Sequence, residues 1–233
     1  MHLATPVLLA CVASAAHAAS VFFSGGTIVA FDRETESLKV IREGSLLVED
    51  DLVTGVFETA SAPADLPADT ETVNATGKII TPGFIDTHRH GWQTAFKTIG
   101  SNTSLAEYFL KYGEFVSGSV LTAEDVYIGQ LAGLYEALNA GVTTTLDHAH
   151  STWSDETAAA GLSASVDSGA RVFYAYAFHT VEGYTVPQQL ENFEALAQNA
   201  SFEGTPTTLC VAYDSFSTPS TASDTQAVIE LIR

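Results

Sequence analysis

The sequence predicts an α/β protein, and three observations lead there. Residues 20 to about 78 read as β-structure, with apolar runs broken by turn residues. From Ile79 onward, strand-like runs alternate with helical stretches, the pattern of a parallel sheet wrapped by helices. The histidines beyond residue 17 all fall where those predicted strands end. With 233 residues and 46% hydrophobic content, the chain can bury a substantial core.

The first 18 residues read as a secretory signal peptide. Val7 to Ala16 is apolar, and Ala16-His17-Ala18 forms a small-x-small cleavage site, although no Lys or Arg precedes the run. The run is too short to span a bilayer, so no membrane is expected for the mature form. Sequons at Asn74-Ala75-Thr76, Asn102-Thr103-Ser104 and Asn199-Ala200-Ser201 suit a secreted glycoprotein. Cys11 would leave with the leader, so Cys210 stands alone and packing rather than a disulfide must hold the fold. Cys210 lies in an apolar strand-like run, where a buried inert thiol is expected. Nine basic against 28 acidic residues give a formal charge of -19. Such a surface repels phosphates and anionic headgroups, which discounts nucleic acid and anionic membranes as partners.

Residues 19–78 follow as the N-terminal β segment. Val21–Ala30 is apolar around Gly25-Gly26, and Ser45–Phe57 reads as a hairpin turning near Glu49-Asp50-Asp51. Ala60–Asp69 has linker composition, and Thr72–Ile80 leads into a strand over Ile79–His90. An aromatic-rich excursion runs from Gly91 to Leu121. Thr122 then opens a helix with capping-box spacing, an apolar stripe of Val126, Leu131, Leu134, Tyr135 and Leu138, and Gly141 at its stop. Strands are expected over Val142–His150, Arg171–His179 and Thr207–Tyr213. An Ala-rich helix ends near Gly169, and a last helix begins near Ala222.

The chemistry centres on His88 and His90. Alternate side chains of a strand share a face, so the two imidazoles point the same way, with Asp86, while Arg89 points to the other. Imidazoles about 6–7 Å apart by strand rise can hold one divalent cation. A strand end with two solvated histidines is the alternative.

The flank favours the first. Thr81-Pro82-Gly83-Phe84-Ile85-Asp86-Thr87-His88-Arg89-His90 resembles the first barrel strand of the amidohydrolase superfamily. Gly141-Val142-Thr143-Thr144-Thr145-Leu146-Asp147-His148-Ala149-His150 adds a likeness to its cytosine deaminase and chlorohydrolase-like branch. The resemblance implies a (β/α)8 TIM-type barrel, of which residues 79–233 supply strands one to four. It also implies that residues 19–78 form part of a small β-sandwich. One divalent metal ion, Zn²⁺ or Fe²⁺, would be held by His88 and His90 and would activate water to attack a carbon bearing nitrogen. The implied function is deamination or amide hydrolysis of a small cyclic substrate.

A barrel places its site at the C-terminal ends of its strands, where His88, His90, His148, His150 and His179 all fall. His148 and His150 could support the metal pair or touch substrate, or could simply form a hydrogen-bonded pair at the barrel mouth. His179 is open between substrate contact and loop, and Trp92 and Gln93 between pocket lining and lid packing. The last lysine is Lys111, before strand two, so a carboxylated-lysine bridge is absent and one metal is expected. The resembled enzymes take further ligands from strands five, six and eight, so the catalytic acid/base is unassigned. The chain reads as truncated and inactive alone, with a non-catalytic secreted remnant of the family as the alternative.

Overall fold

The computed structural model describes residues 20–216 and 222–233; the predicted leader lies outside them. The chain divides into two compact units, Met1–Pro82 and Gly83–Arg233.

The first unit is one five-stranded mixed sheet. Strands β1 (Val21–Asp32), β2 (Ser37–Glu49) and β3 (Leu52–Phe57) form an antiparallel meander. Strands β4 (Glu71–Asn74) and β5 (Ile79–Ile80) both pair with β1 in parallel. The expected sandwich segment is thus represented by a single layer. Asp50, at φ 56°, closes the β2–β3 turn where Glu49-Asp50-Asp51 predicted it; aspartate tolerates this left-handed region better than most residues. Gly25, at φ 76°, sits in a break of the β1–β2 register, where a side chain would be strained.

The strand expected over Ile79–His90 is divided. Ile79-Ile80 pair with Thr27-Ile28 in the first unit, and pairing stops at Thr81-Pro82-Gly83. Proline has no N–H to give a ladder, which explains the interruption. Strand β6 (Phe84–Arg89) then starts the second sheet.

That sheet is wholly parallel, in the order β6-β7-β8-β9, with β7 at Val142–Ala149, β8 at Arg171–Phe178 and β9 at Thr207–Tyr213. Between β6 and β7 lie a 3-10 turn (Gly91–Phe96) and helices α1 (Leu105–Lys111), α2 (Glu114–Ser117) and α3 (Ala123–Asn139). Helices α4 (Asp155–Asp167), α5 (Val186–Ala197) and α6 (Ala222–Ile232) complete the alternation. Thr122 caps α3 in a reciprocal box with Asp125, and Gly141, at φ 87°, ends the connection to β7.

Val172, Tyr174, Tyr176 and Phe178 alternate along β8 and are buried with Leu162, Val186, Leu196 and Val228. The opposite face of the sheet is open. Ile85, Leu146 and Phe173 are 67%, 39% and 38% exposed, and β6 and β9 form the sheet edges.

The buried face of α3 differs from the one expected. Val126 and Leu134 are buried as predicted, but Gly129, Gln130, Gly133 and Ala137 share their face, while Tyr135 is half exposed. The reason is close approach. A Cβ on Gly129 would meet the Trp92 carbonyl, and one on Gly133 would meet the Thr94 hydroxyl. The apolar pattern alone pointed about a quarter turn away.

Candidate functional site

The end of β6 carries the first pair. Its pairing with β7 is irregular between Asp86 and Arg89. Asp86 Oδ1 accepts from the His88 backbone N–H at 3.3 Å, and its Oδ2 lies 3.9 Å from Arg89. The irregular register thus turns Asp86 back toward its own strand rather than alongside the two imidazoles, as parity had suggested. Arg89 points toward α3, donating to the Gly133 carbonyl at 2.8 Å.

His88 and His90 converge as expected, with Nε2 atoms 3.3 Å apart and ring centroids separated by 4.8 Å. His90 Nδ1 stands 2.9 Å from the His148 carbonyl oxygen. A carbonyl only accepts, so Nδ1 carries the hydrogen and Nε2 keeps its lone pair. Two nitrogens each bound at 2.0–2.1 Å to one tetrahedral ion stand about 3.3 Å apart. The pair therefore fits a divalent metal in spacing, and His90 is fixed in the ligating tautomer by its backbone partner. No set of three His, Cys, Asp or Glu with metal-holding geometry occurs among the described residues.

A buried carboxylate sets the strand end in place. Asp147 on β7 accepts from the Gly91 backbone N–H at 2.9 Å and from Gln130 Nε2 at 2.6 Å. Burial pushes its pKa up, against the opposing pull of those hydrogen bonds and of nearby His90 and Arg89. Gly91 leaves room for Gln130: a Cβ there would collide with the Gln130 amide.

His148 and His150 join the same group of rings. His148 lies 5.3 Å from His88 and 5.4 Å from His90 by ring centroids, and His150 stacks 4.1 Å from His90. His148 Nε2 is 3.1 Å from Asp214 Oδ2. Burial lowers the His148 pKa, and the Asp214 charge partly restores it. His150 Nδ1 accepts from Trp92 Nε1 at 3.1 Å, so its hydrogen sits on Nε2. Burial, then the neighbouring His90, His148 and His179, hold the His150 pKa down to about 2, so the ring is neutral.

His179 stands one step away. Its Nε2 is 3.2 Å from Thr152 Oγ1, and Thr152 donates its own hydrogen to the Ala177 carbonyl at 2.6 Å. Burial lowers the His179 pKa to about 4. Gln93 donates to the Tyr108 hydroxyl, tying the strand end to α1.

His88, His90, Gln93, His148 and His150 line one cavity of about 480 Å³, closed on one side by Leu105, Tyr108 and Phe109. His179 lines an adjoining cavity that shares His148 and His150. The five histidines and Gln93 thus lie along one cleft, whereas Trp92 lines neither cavity and packs with Val126 and Trp153. Asp214 and Glu114, which also line the cleft, were missed. Asp214 directly follows β9, so the strand-end rule that selected the histidines would have found it. Glu114 sits inside the irregular excursion and carries no comparable signal. Cys210, expected to be buried, is only half-buried on edge strand β9, and burial raises its thiol pKa.

Sequence comparison gives the same picture. A sequence model of the amidohydrolase family matches residues 79–230. A 5'-deoxyadenosine deaminase from Methanosarcina mazei is 32% identical over 133 residues, covering 55% of this chain and 29% of the relative. A 5-methylthioadenosine/S-adenosylhomocysteine deaminase from Caldicellulosiruptor saccharolyticus is 30% identical over 127 residues, covering 54% and 28%. The chain thus matches less than a third of the length of these curated relatives. Among solved structures, E. coli guanine deaminase superposes with TM-score 0.66 at 20% identity, covering 91% of this chain and 51% of that one. A zinc-bound adenosine deaminase from Xanthomonas campestris gives 0.59 at 17% identity, covering 84% and 42%. At such identities the structural likeness shows the fold, that of part of a barrel. The family match, spanning more than half of the residues and containing the histidine cluster, makes this chain a member of the amidohydrolase family.

Proposed function

We propose that this chain supplies the metal-holding strand and the substrate cleft of a metal-dependent C–N hydrolase. The reaction we assign is deamination of an amino-substituted heterocycle, with a purine nucleoside as the substrate class. The observation that carries this reading is the His88–His90 pair, whose Nε2 atoms stand 3.3 Å apart with His90 Nδ1 committed to a carbonyl. The curated relatives named above, 30–32% identical to this chain over the aligned residues, are named as deaminases of adenosine derivatives.

His88 and His90 would hold one divalent ion, Zn²⁺ or Fe²⁺. Such an ion, when bound, polarises water and lowers its pKa toward neutrality. The chain's own residues set the rest. His148 Nε2–H donates to Asp214, fixing that ring against the pocket wall. His150 keeps its Nε2 hydrogen within the cluster because Trp92 occupies Nδ1. Tyr108 and Phe109 give the cleft an aromatic wall suited to a flat ring.

Calorimetric titration of Zn²⁺ into the 233-residue chain tests the metal half. Uptake that falls tenfold or more in both His88→Ala and His90→Ala is expected; equal uptake by the variants would overturn it. Ammonia release from adenosine, 5'-deoxyadenosine and guanine by the loaded chain tests the chemistry. A second reading, a non-catalytic scaffold, is favoured by the absence of a third donor among the described residues. It predicts folded, monomeric protein with no specific zinc uptake.

We also propose a secretory route, supported by the apolar N-terminal run and by the exposure of Asn74, Asn102 and Asn199. Glycosidase-sensitive mass on product expressed in a eukaryotic secretory host is expected; unmodified intracellular product would refute it.

A further inference from the structure

His88 and His90 sit where ordinary strand pairing gives out. Strand β6 is an edge of its sheet, so β7 is its one neighbour there. The β6–β7 register breaks between Asp86 and Arg89, across His88. His90 follows the strand at φ −122° and ψ 82°, as the residue that opens the 3-10 turn. Those angles continue neither a regular strand nor a helix. Repeating backbone pairing therefore does not fix the orientation of this ring.

Three consecutive tethers to other elements take its place. Arg89 donates to the Gly133 carbonyl of α3 at 2.8 Å, and His90 Nδ1 donates to the His148 carbonyl at 2.9 Å. The Gly91 N–H donates to Asp147 Oδ1 at 2.9 Å. This last bond fixes the peptide plane that follows His90, and with it the ψ angle on which the placement of the ring depends. Asp147 is held in turn. Gln130 Nε2 donates to its Oδ2 and also lies 3.1 Å from Ser165 Oγ, which donates to the Gly161 carbonyl at 2.9 Å. Asp147, Gln130 and Ser165 are 0%, 1% and 0% exposed. Both donors to Asp147 are neutral, and a carboxylate buried on such terms costs the fold more than a well-packed apolar residue. What it holds accounts for its place.

We propose that Asp147 is a positioning residue for His90. Through the Gly91 N–H it keeps the imidazole against the His148 carbonyl, so that Nδ1 carries the hydrogen and Nε2 faces His88 before any cation arrives. Support of this kind, from behind a ligand, sets metal affinity without touching the metal. The inference rests on the metal-holding reading for that consequence, whereas the hydrogen-bonded form of the ring is a property of the metal-free chain.

The test takes two readouts on the full chain. In metal-free protein labelled with 15N at histidine, the His90 ring is identified by its loss in His90→Gln. It should show a single form, with Nδ1 protonated and Nε2 bare. Asp147→Ala should average that signal between the two neutral ring forms and weaken Zn²⁺ uptake in calorimetry by about 10–100-fold. Asp147→Asn keeps an oxygen for the Gly91 N–H, and the Gln130 amide can turn over to meet the new NH2 group. It should keep the single ring form and lose less than about fivefold in Zn²⁺ affinity. If circular dichroism shows Asp147→Ala unfolded, Gln130→Met replaces it, since it frees the carboxylate from α3 and should move both readouts the same way. An unchanged ring form and unchanged affinity in the folded variant would reduce Asp147 to a fold-stabilising residue and overturn the proposal. Equal losses in Asp147→Asn and Asp147→Ala would overturn it as well, in favour of charge alone. An unmodified chain that takes up no Zn²⁺ would sink the metal-holding reading, and the ring form would then decide for or against Asp147 by itself.

Discussion

Acid should destabilise this protein well above the pH at which ordinary carboxylates protonate. His150 and His179 are held neutral by burial, with pKa values lowered from 6.5 to about 2 and about 4. In the unfolded chain both return to about 6.5, so below that pH the unfolded state binds more protons. Stability is then full above about pH 6.5 and is lost as pH falls. Between pH 7.5 and 5 each group should remove about 2 kcal/mol, and the two together about 4 kcal/mol. That is a large part of a typical total of about 5–15 kcal/mol. His148, also lowered by burial, adds in the same direction. Asp147, with its raised pKa, works the other way, because its protonated folded form is favoured as pH falls. Urea unfolding of the metal-free chain at pH 7.5, 6 and 5, followed by circular dichroism, measures the sum. His150→Gln supplies the control, since the amide oxygen can still accept from Trp92 but cannot titrate. Its acid-induced loss should be smaller by about 2 kcal/mol. A loss identical to that of the parent chain would refute the assignment to His150.

Two further outcomes follow from the packing. Gly91→Ala should push Gln130 away from Asp147 and cost about 2–4 kcal/mol, combining overpacking with a weakened hydrogen bond to a buried carboxylate; a change under about 0.5 kcal/mol in urea unfolding would show that the helix simply moves aside. The open face carrying Ile85, Leu146 and Phe173, with unpaired edges at β6 and β9, should bind anilinonaphthalene sulfonate and promote self-association of the isolated chain. Sedimentation as a clean monomer with no dye uptake would show that this face is covered.

Much of this architecture could be read from local pattern. Strand β9 occupies Thr207–Tyr213 as expected, and α6 begins at Ala222, because isolated apolar runs between turn residues admit few other readings. The convergence of His88 and His90 was legible because period-two geometry suffices to bring two alternate side chains together. Asp86 defeated the same rule, since a register break between it and Arg89 cancels the parity that the rule assumes. The buried side of α3 was illegible for a different reason. Gly129, Gly133 and Ala137 recur every four residues, and their smallness, not their hydrophobicity, lets the 3-10 turn approach. Nothing local pairs Gln130 with Asp147, 17 residues away, or sets Trp153 beside His179. Such partners are assigned only by the tertiary fold.

The contact of Trp92 with His150 has an optical consequence. The chain holds two tryptophans, and their ring centroids lie 4.9 Å apart. Light absorbed by either indole is shared with the other, and Trp92 is hydrogen-bonded to the imidazole cluster itself. A cation arriving at those rings would perturb the excited state directly, so occupancy of the site is expected to be read as quenching of intrinsic fluorescence, with no attached label.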